Sequence, residues 1–415
     1  TSIAGKFISV LDPFQRASQP LIESVAEHRI TAWGSMYYEL GIGILFFLTG
    51  IYFTLKTPTN RNVFLLLFGM TTLYFASSMV RLLVILAPAF AIIMAIGVLG
   101  LLKPFFTLNR EIGSQSTMKA KRRLQRVGKE YGAIAIVLIF TLLISTYAFS
   151  IQNGTPRVYN TAYSPLAISV ASLPLGQISE QIPTWLNTIS YTKTNLNSTD
   201  VIAAWWDYGD WLSIAGNVTT LCDNTTVNGT QIENVAYAFM ANETQAIKML
   251  EKYDAKYVLV YVVLKLDASN NQLTGNVSFS GYGDDGKWMW MAKISGGAAS
   301  RLLNEGFMTE NYTWTDEYNF GNYTEEGGAW NYNDMGLNTT LYKIASDMQQ
   351  KWATSQGFTV SNEKASSLQY FVEEYISGLE ITYTQAAYEY NTYVPLVGLY
   401  EIDYDAYYNA TSTTP

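Results

Sequence analysis

The chain has 415 residues, with 26 Lys and Arg against 34 Asp and Glu for a net charge of −8. Its one cysteine, Cys222, rules out an internal disulfide, so every domain must hold by burial and hydrogen bonding alone. The mean hydropathy of +0.07 averages two unlike halves. Residues 1–150 carry 14 Lys and Arg against 6 Asp and Glu, and the rest carries 12 against 28. A basic, apolar front and an acidic, Tyr- and Asn-rich back imply a membrane region followed by an extramembrane domain of ample size for its own core.

In chain order, residues 1–37 precede four apolar stretches of spanning length, Tyr38–Leu55, Asn62–Met79, Leu82–Leu102 and Tyr131–Ser150. The second and third nearly touch, so a tight turn is expected near Ser77–Arg81. Six Lys and Arg lie from Lys119 to Lys129. The positive-inside rule reads this run as a cytoplasmic topology signal and not as a nucleic-acid site. Lys56 and Arg61 then fall on the same side, while residues 1–37, the turn at Arg81 and everything beyond residue 150 face outward. The expected molecule is an integral protein of the cell membrane with an extracytoplasmic domain.

Beyond residue 150 the pattern alternates. Gln177–Thr192 predicts a helix, Val201–Trp206 and Thr219–Cys222 short strands, Glu233–Tyr253 an amphipathic helix, and Tyr257–Leu264 a buried strand. The alternation predicts a mixed α/β domain over 151–300 with a partly parallel sheet. Periodicity weakens over 301–415, where a β-rich C-terminal subdomain is expected. Asn-x-Ser/Thr sequons begin at Asn197, Asn217, Asn224, Asn228, Asn242, Asn276, Asn311, Asn322, Asn338 and Asn409, with another at Asn153 that Pro156 follows, in keeping with an extracytoplasmic location.

The most specific motif is Trp205-Trp206-Asp207-Tyr208-Gly209, placed where a predicted strand ends and α/β folds put their sites. Paired indoles only fill a core in many proteins. With an adjoining carboxylate they can also grip one hydroxyl in an apolar setting, through indole N–H donors and an anionic acceptor. Downstream, Asp284, Lys287, Met291 and Ile294 follow helical spacing along one face. Cys222 occupies an apolar strand position and reads as core.

The segment Ala204–Gly209, followed by Thr219-Thr-Leu-Cys-Asp-Asn-Thr225, resembles the signature of the catalytic subunit of N-oligosaccharyltransferases. Asp284–Ile294 resembles that family's helical DK motif, and Ser24-Val25-Ala26-Glu27-His28 its external-loop Ser-Val-Ser-Glu-His stretch, with Ala in place of the second Ser. Arg81 resembles the family's donor-facing arginine. The resemblance implies the last four spans of a GT-C-type membrane region followed by the acceptor-reading domain, while the single Cys, acidic exterior and dense sequons suggest an archaeal cell surface.

By that resemblance, Trp205, Trp206, Asp207, Tyr208 and Gly209 bind the sequon Ser or Thr, with Asp284, Lys287, Met291 and Ile294 beside them. Glu27 holds the acceptor amide and contributes to a divalent metal site for Mn or Mg, and Arg81 meets donor phosphate. The lone His28 reads as a positioning residue, one imidazole being a poor metal site. The implied partners are a lipid-linked oligosaccharide on a dolichol-type phosphate or pyrophosphate carrier, sequon-bearing acceptor proteins, and the N-terminal transmembrane part of the same subunit. The metal-binding acidic motifs of the family's N-terminal spans do not occur in this chain, so it is expected to be inactive by itself. Two other readings stay open: a non-catalytic membrane-anchored binding or envelope protein, and a different lipid-dependent GT-C glycosyltransferase.

Overall fold

A computed structural model of the chain describes residues 3–111, 129–149, 156–163, 181–269, 272–308, 323–325, 331–360, 367–383 and 393–412. The basic run Lys119–Arg126, the start of the helix predicted at Gln177, and the sequons at Asn311 and Asn322 lie outside the described residues. The chain forms two compact units: Lys6–Ser18 with Val25–Ser172, and Thr1–Gly5 with Gln19–Ser24 and Leu173–Pro415.

The first unit is helical, built on α1 (Gly43–Lys56), α2 (Asn60–Ser78), α3 (Leu83–Glu111) and α4 (Lys129–Ala148). Met36, Phe47, Ala76, Leu86, Phe90 and Ile93 form its core, with Phe47 and Phe90 stacked at 5.1 Å. Glycines let α1 and α3 touch backbone to backbone: a Cβ on Gly50 would stand 1.9 Å from Ile93 O, and one on Gly97 1.9 Å from Phe46 O. The first predicted span is not one straight helix. Trp33–Leu40 and Gly43–Lys56 meet at 86°, because Gly41 turns the chain at φ +58°. Tyr147 of α4 secures the break, donating to Leu40 O at 2.6 Å and accepting from Gly43 N at 3.2 Å. The turn expected near Ser77–Arg81 is a 3-10 turn over Val80–Leu82. Among the described residues, Val80–Phe106 is the one helix long and apolar enough to cross a membrane unaided, and the bent pair makes a second if taken as one span.

The second unit is α/β. Its sheet runs β2 (Thr219–Thr220), β1 (Val201–Ala204), β3 (Ala255–Ser269), β4 (Gln272–Phe279), β5 (Thr359–Val360), with β7 (Tyr393–Ile402) also on β3 and β6 (Phe371–Ser377) on β7. β1 is parallel to β2 and β3, whereas β3 pairs antiparallel with β4 and β7, so the predicted mixed sheet is present. β3 is longer than Tyr257–Leu264, and its buried run Tyr257–Leu264 is the spine of the domain. Helices α5 (Gln181–Asn195), α6 (Gly229–Met240), α7 (Glu243–Glu251), α8 (Asp284–Gly297) and α9 (Thr340–Gln356) complete it.

Two expectations change here. The single helix over Glu233–Tyr253 is two, because Asn242 caps a new one by accepting from Gln245 N at 3.0 Å. Among the described residues, the strands past residue 300 do not form a subdomain of their own: β5, β6 and β7 join the same sheet, β7 pairing with β3 along nine residues from Tyr257 to Lys265.

Candidate functional site

The strand β1 ends at Ala204, and the chain then turns through Trp205 into a 3-10 turn over Trp206–Tyr208 at the carboxyl edge of the parallel strands. Gly209 is dictated by space, since a Cβ there would lie 1.9 Å from the carbonyl oxygen of Cys222. With its carboxamide turned to donate, Asn224 places Nδ2 3.2 Å from both Trp206 O and Asp207 O, fixing the turn from the other side.

Helix α8 begins at Asp284, as the spacing predicted, and delivers Lys287 to this turn. Lys287 Nζ forms an ion pair with Asp207 Oδ2 and donates to Tyr208 OH at 3.0 Å. Tyr208 in turn donates to Asp284 Oδ1 at 2.7 Å, while Asp284 Oδ2 accepts from Tyr261 N at 2.9 Å. The relay thus runs from the half-buried Asp207 to the backbone of β3. Lys287 also sits over the Tyr208 ring, 4.7 Å from its centroid. Burial drives the Asp284 carboxyl up to about 6, opposed by Lys287 and the hydrogen bonds it accepts, and pushes the Tyr208 phenol well above its ordinary range.

The neighbouring Asp285 anchors the start of the helix. It accepts from Gly281 N at 2.6 Å, Gly283 N at 2.9 Å and Val263 N at 3.4 Å, and burial raises it to about 7. Trp185 of α5 closes the wall, 4.7 Å from the Tyr208 ring and 5.4 Å from that of Tyr261. Asp285, Trp185, Tyr261 and Asn224 carry the site's scaffold without standing out in the sequence. The doubled acid ahead of Gly286 and Lys287 was the available signal for Asp285.

The two indoles differ. Trp205 is wholly buried, with its ring 6.0 Å from that of Trp206. Trp206 is buried as well, yet its Nε1–H has no hydrogen-bond partner. An unpaired buried donor costs about 1–3 kcal/mol. Asp207 meets Lys287 through Oδ2 alone, leaving Oδ1 as an acceptor. A donor and an acceptor on consecutive residues, one buried and one half-open, suit a small group that both accepts and donates one hydrogen bond. A hydroxyl is such a group.

Met291 and Ile294 share the helix face of Asp284 and Lys287 but are 0% and 4% exposed. As they stand they are packing residues of α8, which lies against α6, and not an open surface for a threonine methyl. The other predicted site residues lie in the helical unit. Glu27 occupies a 3-10 turn over Ala26–His28, and Arg81 is exposed on the turn Val80–Leu82. These turns pack together: Val80 N donates to Arg29 O at 3.0 Å, and the buried Arg16, missed in the sequence, reaches His28 O and Ser78 O. Among the described residues no three of His, Cys, Asp and Glu converge as a metal site. Glu27 therefore fits as a single ligand and does not make a divalent-metal site with its described neighbours.

Residues 198–281 match the family model of the STT3/PglB/AglB core domain, which includes the Trp205–Gly209 turn and stops just short of α8. The chain is 31% identical over 342 residues to the STT3 subunit of dolichyl-diphosphooligosaccharide–protein glycosyltransferase from Dictyostelium discoideum, covering 82% of this chain and 43% of that protein. It is also 31% identical over 353 residues to the STT3B subunit from Oryza sativa subsp. japonica, covering 82% and 45%. Among solved structures, the apo oligosaccharyltransferase of Archaeoglobus fulgidus is similar over 85% of this chain and 39% of that one, at 15% identity and a TM-score of 0.49. Residues 198–281 thus carry the STT3/PglB/AglB core domain, and the chain is similar to STT3 subunits over most of its length, in line with the resemblance of its motifs. It spans less than half the length of these curated relatives.

Proposed function

We propose that this chain is the acceptor-reading part of a membrane-embedded, inverting oligosaccharyltransferase. In this reading the hydroxyl of a sequon Ser or Thr accepts from Trp206 Nε1–H and donates to Asp207 Oδ1. Lys287 holds the Asp207 carboxylate in place through its Oδ2. The observation that carries the reading is the buried Trp206 N–H left without a partner beside a carboxylate with one oxygen to spare. A site built around such groups rejects a peptide lacking the hydroxyl, because its donor stays unpaired.

The reaction breaks the bond between the sugar C1 and the oxygen of a dolichol-type phosphate or pyrophosphate, and the phosphate departs with the electron pair. The acceptor Asn nitrogen forms the new bond to C1 and loses a proton. Glu27 would hold the acceptor amide, and the exposed guanidinium of Arg81 would offset charge growing on the departing phosphate. A divalent metal, when bound, would supply further charge neutralisation, with Glu27 as the contribution of this chain.

We further infer that α1–α4 lie in the membrane. Leu45, Leu48, Phe64, Leu67, Leu99 and Val137 are more than half exposed on them, a surface that suits lipid. The α/β domain is then extracytoplasmic, by the positive-inside reading of the loop before α4. The test is peptide binding and glycan transfer by the full-length subunit in lipid bilayers, with peptides carrying Thr, Ser or isosteric Val two residues after Asn. Binding and transfer for Thr and Ser, with loss for Val, is the expected result. Equal binding of Thr and Val would overturn the hydroxyl site. Hydroxyl-dependent binding with no transfer would favour the non-catalytic binding-protein reading.

A further inference from the structure

The short helix Pro20–Glu23 ends one residue before the Ser24–Glu27 motif, and it is packed on α8. Leu21 and Ile22 are buried there, at 6% and 2% exposure. Glu23 Oε2 accepts from Lys293 Nζ at 2.7 Å, and both side chains are mostly buried, 27% and 15% exposed. Lys293 lies 5.3 Å from the centroid of Trp290, one turn back on the same helix. The turn is closed off by Ser24, whose N–H donates to Pro20 O and whose Oγ donates to Leu21 O at 2.8 Å.

The helix that presents Lys287 to Asp207 therefore also grips the chain four residues ahead of Glu27. The grip has two parts. Leu21 and Ile22 supply non-directional burial, which holds the turn down without fixing its angle. The ion pair is directional, and being partly buried it is weakly screened by salt. Four residues of chain span at most about 14 Å, so an anchor at Glu23 narrows the volume that the Glu27 carboxylate explores.

We propose that Glu23 and Lys293 are positioning residues: a clamp that fixes the turn Pro20–Glu23 on α8, four residues ahead of Glu27 in the chain. Neither residue touches substrate, and their effect is on how well the loop is placed when an acceptor peptide arrives. This rests on the functional reading above.

The experiment is a charge-swap cycle in the full-length subunit in bilayers, comparing wild type, E23A, K293A and the double exchange E23K/K293E. With a Thr-sequon peptide, each single variant should raise acceptor KM about five- to tenfold, in the range of a partly buried ion pair, with kcat changed less than about twofold. The exchange should recover most of the KM, since Leu21 and Ile22 still dock the turn. Unchanged KM in the single variants, or an exchange worse than either of them, would overturn the clamp.

A second measurement does not depend on transfer. E23C/K293C treated with a short bis-maleimide should give a linked peptide pair by mass spectrometry, because the native thiol of Cys222 is buried. Absence of the link in the membrane protein would overturn the clamp even if wild type transferred nothing, an outcome that would separately retire the functional reading.

Discussion

Two lysine–carboxylate pairs in the α/β domain use the same chemistry to opposite ends. Lys343 and Glu243 are 6% and 2% exposed and meet at 2.9 Å, and the second oxygen of Glu243 takes the N–H groups of Gln369 and Tyr370 at 2.9 and 3.0 Å. Both carboxylate oxygens are engaged, and the pair joins the start of α7 to α9 and to the chain entering β6. Lys287 and Asp207 are 29% and 25% exposed, and Asp207 engages its partner through one oxygen, beside the unpaired indole N–H of Trp206. The residue types are shared. What separates the sealed joint from the open pair is leftover hydrogen-bonding capacity together with access to solvent.

The largest effect should come from the sealed pair. Glu243→Ala leaves a buried ammonium and two backbone N–H groups unpaired, and should cost about 3–5 kcal/mol in denaturant unfolding of the full chain. A cost under about 1 kcal/mol would make this pair no different from a surface one. Asp207→Ala should do the reverse. It should weaken Thr-peptide binding by roughly tenfold to a hundredfold, as expected for losing a hydrogen bond to a charged group, while unfolding changes by less than about 1 kcal/mol. Equal damage to stability and binding would merge the two classes. Trp206→Phe keeps the ring and removes only the donor, so binding should fall by about tenfold with the preference for Thr over Val reduced.

The smallest effect concerns pH. The folded-state values of Asp284 and Asp285, about 6 and about 7, lie above the ordinary carboxyl range. Between about pH 4 and pH 7 the native state therefore holds more protons than the unfolded one, and stability contributed by these groups falls as pH rises through that window. Asp285→Asn should flatten the pH dependence of the unfolding midpoint there. An unchanged slope would mean that Asp285 ionises as freely in the fold as in the open chain.

Much of the site was legible, because its chemistry sits in two short motifs. The strand end before Trp205 and the helical spacing from Asp284 are local patterns, and the structure joins them through Lys287 and Asp207. The burial of Met291 and Ile294 was not legible, since spacing gives a face and not what covers it. The helix break at Asn242 was written as a capping residue inside an amphipathic run, where periodicity outvoted it. The tail hid its role for a different reason. β7 contains Pro395 and Gly398, both poor strand residues, yet it lies between β3 and β6. Pro395 is tolerated because the pairing with β6 stops at Val397. Gly398 leaves room for Met348, whose sulfur would lie 2.7 Å from any Cβ placed there. Those allowances are long-range, and no window of sequence contains them.

The burial of Cys222 behind the Trp205–Gly209 turn has a practical consequence. Its thiol is shielded, and burial raises its pKa, so little reactive thiolate forms near neutrality. Among the residues of this chain, a cysteine placed on the surface would be the one that reacts with maleimides or spin labels, without first removing a native residue. The turn that shields it stays intact, and distances between α8 and the turn Pro20–Glu23 can be followed in the otherwise unaltered chain.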